Sequence, residues 1–499
     1  MSVKKNIFYN YIGVVVPILL NFASVPIFIK YLGSSSYGLI GISALIQTWV
    51  MLLNSALSPV VGRCAAQAAI GEVSWKDVGK LCRTIDWILI AIIVSTCLLC
   101  SIYTNNIIFH WFGRDIISAV PFIQYCFFFL VLTTLFRLAS SIGRGVIQHL
   151  DAQVWLNIQM SIFNLIRFCG AMAIAYVYND VFFVFLFWFL LAVMEYLFVQ
   201  CKVYSLIPVK IRMTEFDISF LVSQRKIIFP LLVSGFIYAA ITNYDKVLLS
   251  TKLNLSEYGY YSLIVLLSSS VILISSPITQ TFQPRLISAF SESRMGIKNN
   301  EKIIYQFRLM TAIVVAFIAP VVSVMVINAK EVVYSWSGEL LSSNNSLALS
   351  FYSLGNMFCV FSSLLYLIQL GKGDLRWHVA GYSLILLVLI PLYHYLALNS
   401  SVSNIALAWL CVNVLYFFIW GAVIFKKTLG FILIRWFIFD TLFMVAVSIA
   451  FVYALSYLFI SPASGRETIF IFLIGIGISN LLIMVAVNPI LREFVYVQK

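Results

Sequence analysis

Charge is what this sequence has least of. Asp, Glu, Lys and Arg make up 10% of the 499 residues, while 62% are hydrophobic. An ordinary soluble domain carries about 25% charged residues. A water-soluble fold of this composition could not cover its own surface with polar groups, so that class is excluded. Histidine is nearly absent. His110, His149, His378 and His394 are scattered singly, with no pair at metal-ligand spacing and no HExxH. No metal and no cofactor is therefore expected. The nine Cys lie almost entirely inside or beside apolar runs, and the "CLLC" at Cys97 to Cys100 falls within one. Its residues read as small apolar packing rather than redox chemistry. Strict apolar–polar alternation is also missing. A run such as "FFVFLFWFLLAVM", Phe182 to Met194, does not alternate, which excludes a transmembrane barrel.

What the sequence has instead is a long series of apolar runs, each near the roughly 20 residues that cross a hydrocarbon core of about 30 Å. Fourteen are expected, at about 9–30, 39–60, 86–104, 118–142, 154–177, 181–201, 227–249, 259–281, 304–328, 347–370, 377–398, 403–425, 436–459 and 467–489. The connections are marked by Gly, Asn and polar residues, as in "GSSSYG", "TNN", "YND", "GKGD" and "NSSVSN". The first run follows "MSVKKN" but lacks a small-residue cleavage site, so it reads as a retained helix rather than a signal peptide. The expected fold class is an all-α polytopic membrane protein.

The net charge of +13 invites a nucleic-acid reading, which the placement of the charges removes. With the N-terminus and its Lys4 and Lys5 in the cytoplasm, alternate connections fall inside, and 24 of the 32 basic residues lie on that side. Only Arg114, Lys252, Lys330 and Arg466 fall outside, and Lys30, Arg137, Arg167 and Lys246 lie within spans. This is the positive-inside bias, and a wrong span count would scramble it. Both termini are expected in the cytoplasm of a bacterial inner membrane. No nucleic-acid partner is expected. The longest outer connection, about 329–346, is too short for a soluble catalytic domain.

A short turn is written twice. "LGSSSYGLIG", Leu32 to Gly41, joins spans one and two, and "LNLSEYGYYS", Leu253 to Ser262, joins spans seven and eight. Each is followed by a helix that ends inside at an Arg, in "SPVVGR" at Arg63 and "TFQPR" at Arg285. An offset of six spans is even, so the repeats share orientation and are related by an axis along the membrane normal. The expected organisation is a six-helix lobe over residues 1–204, a second over 205–427 with its preceding cytoplasmic connector, and two additional helices over 428–499.

The stretches "PIFIKYLGSSSYGLIGI", "LLNSALSPVVGR", "NYDKVLLSTKLNLSEYGYYSL" and "PITQTFQPRL" resemble the Wzx-type O-antigen and polysaccharide flippases. These belong to the superfamily of multidrug, oligosaccharidyl-lipid and polysaccharide exporters. Members often carry an Asp in the second helix before the Arg, where this chain has Asn54, so no ion-coupling role is carried over there. The resemblance implies two lobes around a central cavity and alternating access. It also implies a polyprenyl (undecaprenyl) diphosphate-linked oligosaccharide as substrate, moved from the cytoplasmic to the periplasmic leaflet. The implied partners are that lipid-linked oligosaccharide, membrane lipids, and a polysaccharide polymerase and chain-length regulator.

Ionisable residues inside spans are costly when they face lipid, so they face a cavity or a partner. Arg167 sits mid-span in "SIFNLIRFCGAM"; Lys246 and Asp245 lie toward the outer end of span seven; Arg137 is in the inner part of span four; Arg63 and Arg285 stand at inner helix ends. These five cations are the candidate substrate-binding residues, because a diphosphate needs a cationic path and Arg adds bidentate contacts to phosphate oxygens. Snorkelling to headgroups is the competing role for Arg63, Arg285 and Arg137, and neutralisation of Asp245 is that for Lys246. Asp245 and Glu195 are the ion-coupling candidates, with Glu195 equally placed to be a salt-bridge partner of Arg167. Prolines within spans, among them Pro26, Pro277 and Pro320, are candidate bending points.

Three rival functions follow from the same pattern. A drug or cation antiporter would favour a carboxylate-rich interior, whereas bases outnumber acids in these spans. A lipid II flippase would share the fold and a related substrate. A polysaccharide polymerase or ligase would need a substantial outer loop to present catalytic residues.

Overall fold

The structure is a computed structural model that describes residues 3–69, 71–112, 122–150, 152–209, 215, 217–294, 300–338, 343–372, 374–397, 402–429, 431, 433–459 and 465–497. Among these residues every regular element is a helix. Five of the basic residues used for the topology, Arg114, Lys210, Arg212, Lys298 and Lys499, lie outside them.

Twelve stretches are long and apolar enough to cross a membrane, by length and composition. The first, Leu20–Ala69, contains a break and so carries two rods. A further 26-residue helix runs Arg225–Ser250, which brings the rods among the described residues to the expected fourteen. The break falls at Gly33, where φ is 81° and ψ is 167°. A residue with a Cβ rarely enters that region. The "GSSSYG" segment is thus no loop: one glycine turns the chain, and the helix resumes at once.

The chain divides into two compact units, residues 1–259 and 260–499. The first holds the helices Trp75–Phe112, Ile123–His149, Gln153–Tyr178 and Val181–Leu206 beside those already named. Its buried core is built where Val61, Ala65, Leu81, Leu138, Ile142 and Val199 meet. The small members of this core, Cys64, Ala65, Ala68 and Ala139, let neighbouring helix backbones approach closely, which is how packing replaces the hydrophobic effect as the driving force between helices in lipid.

The two copies of the repeated turn meet inside this first unit. Ser34 Oγ and Ser256 Oγ are 2.8 Å apart and share a hydrogen bond. When Tyr37 is set against Tyr258 and Gly38 against Gly259, Ser34 is equivalent to Leu255. A Cβ on Gly38 would stand 2.0 Å from the Leu255 carbonyl oxygen, and one on Gly259 would stand 2.4 Å from that of Ser34. Each glycine therefore receives the backbone of the other copy at the equivalent position, the reciprocity of a two-fold contact. Tyr37 and Tyr258 are both buried beside it. The motif is repeated because it packs against itself. The two serines face one another rather than open water.

In the second unit, Asn300–Ile327 is the central rod. Along it, Arg308 holds Asp440 through Nε–Oδ2 at 2.5 Å and Nη2–Oδ1 at 2.8 Å. Ser323 meets Ser448 at 2.8 Å, and Asn328 Nδ2 donates to Ser456 Oγ at 2.8 Å. Met444–Phe459 is pinned in turn by Asn480, whose Nδ2 donates to Ser448 Oγ at 2.7 Å. The last two spanning helices are thus fastened to the central rod by a ladder of polar contacts. An aromatic block joins Phe307 of the central rod, Phe417 and Phe425 of the span ending at Thr428, and Trp436 and Phe437 of the next. Its polar atom is satisfied by Trp436 Nε1 donating to Thr311 Oγ1 at 2.8 Å. Both π-helical segments, Tyr416–Trp420 and Trp436–Phe443, border this block. Pro320, by contrast, sits inside its helix with helical residues on both sides. The extra residue of a π turn, not a proline, is what re-aims side chains here.

Candidate functional site

Three arginines and one glutamate converge in the first unit. Arg137 and Arg144 come from Ile123–His149, Arg167 from Gln153–Tyr178 and Glu195 from Val181–Leu206. Arg137 and Arg144 are seven residues apart, two helical turns, so both project from one face. Arg167 Nη2 donates to Glu195 Oε2 at 2.7 Å, and Arg144 Nη2 donates to the other oxygen, Oε1. Gln159 Nε2 approaches Oε1 at 3.4 Å. Arg167 Nη1 donates to Asn164 Oδ1 at 3.0 Å, and Trp188 Nε1 donates to the Arg167 carbonyl at 3.3 Å. Arg137 Nη1 donates to Gln47 Oε1.

Burial and charge decide what this group can do. Arg167 is 8% exposed and Glu195 is 3% exposed; Arg137 and Arg144 are half-buried. Three guanidiniums stay charged at any ordinary pH, and one carboxylate offsets one of them. Two positive charges remain in a setting where water is scarce. Arg144 Nε is buried with no hydrogen-bond partner, as is Gln159 Oε1. An unpaired donor beside surplus positive charge is suited to an anion, and guanidinium forks match phosphate oxygens.

Of the residues proposed from sequence, the structure brings together Arg137, Arg167 and Glu195. Lys246 is elsewhere, half-buried on its own helix: its Nζ donates to Thr242 O at 2.6 Å and Asn243 Oδ1 at 2.7 Å. Asp245 beside it is buried. Arg63 is exposed on Leu52–Ala69. Arg285 is exposed in the second unit, its guanidinium 5.5 Å from the ring of Phe282 on the same helix. Glu195 is held by two guanidiniums at once, an arrangement that makes it their counter-charge. Sequence reasoning missed Arg144, which counts as a connection residue when the span is ended at 142. The seven-residue spacing from Arg137 was the available signal. Gln47, Asn164 and Gln159 complete the group. Trp49 Nε1 and Asn54 Oδ1 are also buried without partners, and Trp49 packs edge-on against Phe236 at 5.8 Å.

No family model matches the chain, and no curated protein matches it. Solved structures share its architecture. A lipid II flippase MurJ in an inward closed conformation superposes with a TM-score of 0.70 at 14% identity, covering 96% of this chain and 97% of that one. An inward-facing multidrug resistance MATE family transporter of the MOP superfamily gives 0.60 at 14% identity, covering 84% and 99%. The Vibrio cholerae MATE transporter VcmN in its bent form gives 0.55 at 12% identity, covering 85% and 97%. The chain therefore has the fold shared by the lipid II flippase MurJ and the MATE transporters of the MOP superfamily.

Proposed function

We propose that this protein is a flippase for a polyprenyl diphosphate-linked oligosaccharide. It moves the head group from the cytoplasmic to the periplasmic leaflet of the inner membrane by alternating access, for the synthesis of an O-antigen or related surface polysaccharide. The observation that carries this reading is the group of three arginines with one glutamate, which Arg144 and Arg167 share while Arg137 turns to Gln47. A diphosphate cannot cross hydrocarbon unaccompanied, and surplus guanidinium charge inside the helices supplies the accompaniment. A cationic drug would be repelled by the same surplus, which weighs against a cation antiporter. Arg137, Arg144 and Arg167 are the proposed diphosphate contacts. Arg63 and Arg285 do not end their helices as expected, since these run on to Ala69 and Arg294; both are exposed and are proposed to meet the anionic head as it enters, and Lys246 to meet it nearer the outer side. Asp245 remains the proposed ion-coupling carboxylate. The orphaned Trp49 Nε1 and Asn54 Oδ1 suit sugar hydroxyls. The proposed domain arrangement remains two repeats, 1–204 and 205–427, followed by two added helices, 428–499. A polysaccharide polymerase and chain-length regulator are the proposed downstream partners.

A second reading, lipid II as substrate, is favoured by the coverage and TM-score of the MurJ likeness. Both substrates carry a lipid diphosphate and differ in their sugars. Deleting the gene in its host separates them. The expected result is loss of surface polysaccharide with lipid-linked oligosaccharide retained on the cytoplasmic face, and recovery of both when the chain is supplied. Arrest of cell-wall synthesis with normal surface polysaccharide would instead support lipid II.

A further inference from the structure

A second polar site lies in the second unit, apart from the arginine cluster. A cavity of about 370 Å³ opens where Glu301, Tyr305, Arg308, Arg435, Ile490 and Glu493 come together. Three helix ends meet there. Glu301 begins one candidate span, Arg435 immediately precedes the span Trp436–Phe459, and Ile490 and Glu493 follow the span that ends at Val487. The cavity therefore lies at the level where hydrocarbon gives way to lipid headgroups. The short helix Pro489–Val497 forms one wall. Arg492 Nη2 holds that helix in place by donating to the Ala486 carbonyl at 2.7 Å, while Leu491 is buried beneath.

The charges in the cavity are of both signs and unequal availability. Arg308 turns its fork to Asp440, so its charge is met. Glu301, Arg435 and Glu493 are exposed, and none forms an ion pair with any described residue. Among the described residues that line the cavity, one available cation thus stands with two available carboxylates. A ligand that fits carries an anion and a hydrogen-bonding cation a few bonds apart. Apolar surface leads away from the site toward lipid: Ile434, Ile438 and Phe439 are all strongly exposed.

We propose that this cavity binds the headgroup of a zwitterionic aminophospholipid, phosphate on Arg435 and primary ammonium between Glu301 and Glu493, with the acyl chains along Ile434, Ile438 and Phe439. A primary ammonium donates three hydrogen bonds, so two carboxylates can both be satisfied. A trimethylammonium has no N–H to donate and is recognised by aromatic cages, whereas among the described residues a single aromatic side chain, Tyr305, lines this cavity. An anionic lipid would set its charge against two carboxylates with one cation to answer them.

The test is lipid retention by the purified full-length protein, exchanged into nanodiscs containing equal amounts of phosphatidylethanolamine, phosphatidylcholine and phosphatidylglycerol and read by native mass spectrometry. The expected result is preferential retention of phosphatidylethanolamine, reduced about tenfold by Arg435→Gln and by the double change Glu301→Gln with Glu493→Gln. A tenfold loss corresponds to about 1.4 kcal/mol. All three positions are exposed, so the variants should fold, and an unchanged thermal unfolding midpoint checks this. Equal retention of the three lipids, preference for phosphatidylglycerol, or variants that retain lipid as the parent does would each overturn the assignment.

Discussion

Arg167→Ala is expected to lower export of lipid-linked oligosaccharide by about 10- to 100-fold, equivalent to the roughly 1.5–3 kcal/mol of a hydrogen bond to a charged group. The protein should still insert at normal levels. Glu195 keeps Arg144 when Arg167 is gone, so no carboxylate is left buried and unpaired. Arg167→Lys should retain part of the activity, since the charge stays and the fork is lost. Glu195→Ala alone should behave differently. It leaves three guanidiniums without a counter-charge, and breaking a buried pair in that way costs about 3–5 kcal/mol, so protein level and thermal stability should fall. The double change Arg167→Ala with Glu195→Ala removes one charge of each sign and restores the net charge of the group. If Arg167 served only to neutralise Glu195, the double variant would regain export. If Arg167 receives the diphosphate, the double variant regains part of the stability lost in Glu195→Ala, Arg144 still lacking its counter-charge, and stays inactive. Measuring surface polysaccharide and membrane protein level together separates these outcomes.

The second large effect is expected at the repeated turn. Ser34→Cys with Ser256→Cys should form a disulfide on mild oxidation, because the two hydroxyl oxygens are already 2.8 Å apart and the helices are in backbone contact at Gly38 and Gly259. On the proposed function, exit of a bulky sugar head on the outer side requires these helices to part. Oxidation of the double variant should therefore stop transport almost completely, and a reductant should restore it. The nine native cysteines are all free, so each single variant, oxidised in parallel, controls for their chemistry. Undiminished transport by fully cross-linked protein would show that this contact stays closed throughout the cycle.

Much of this was legible in the sequence, for definite physical reasons. A spanning helix must be apolar along its length, so composition alone located the rods, and the asymmetry of Lys and Arg fixed their expected direction. The repeat was visible because packing two backbones together demands glycine at the same place twice. The pairing of Arg167 with Glu195 was one of two readings open from sequence, since a deep cation requires a partner. Other features were hidden. Arg144 looked like a connection residue because a long side chain reaches well back from its own Cα, and a one-dimensional span count cannot register that reach. Gln47 and Gln159 were indistinguishable from the many amides that bridge helices. The π turns at Tyr416–Trp420 and Trp436–Phe443 contain no proline or glycine to mark them, and Gly421 beside the first reads in sequence as an ordinary span residue. They depend on how Phe417, Phe425 and Trp436 pack, which only the assembled helices determine.

The most direct measurement of the central claim uses purified protein in lipid vesicles that contain a labelled polyprenyl diphosphate-linked oligosaccharide. A membrane-impermeant glycosidase reports the fraction of sugar exposed outside. The protein is expected to render the inner-leaflet pool accessible, Arg167→Ala to slow this by the same 10- to 100-fold expected in cells, and an organic cation not to be moved. Sugar that stays protected as in empty vesicles, alongside transport of the cation, would contradict the claim.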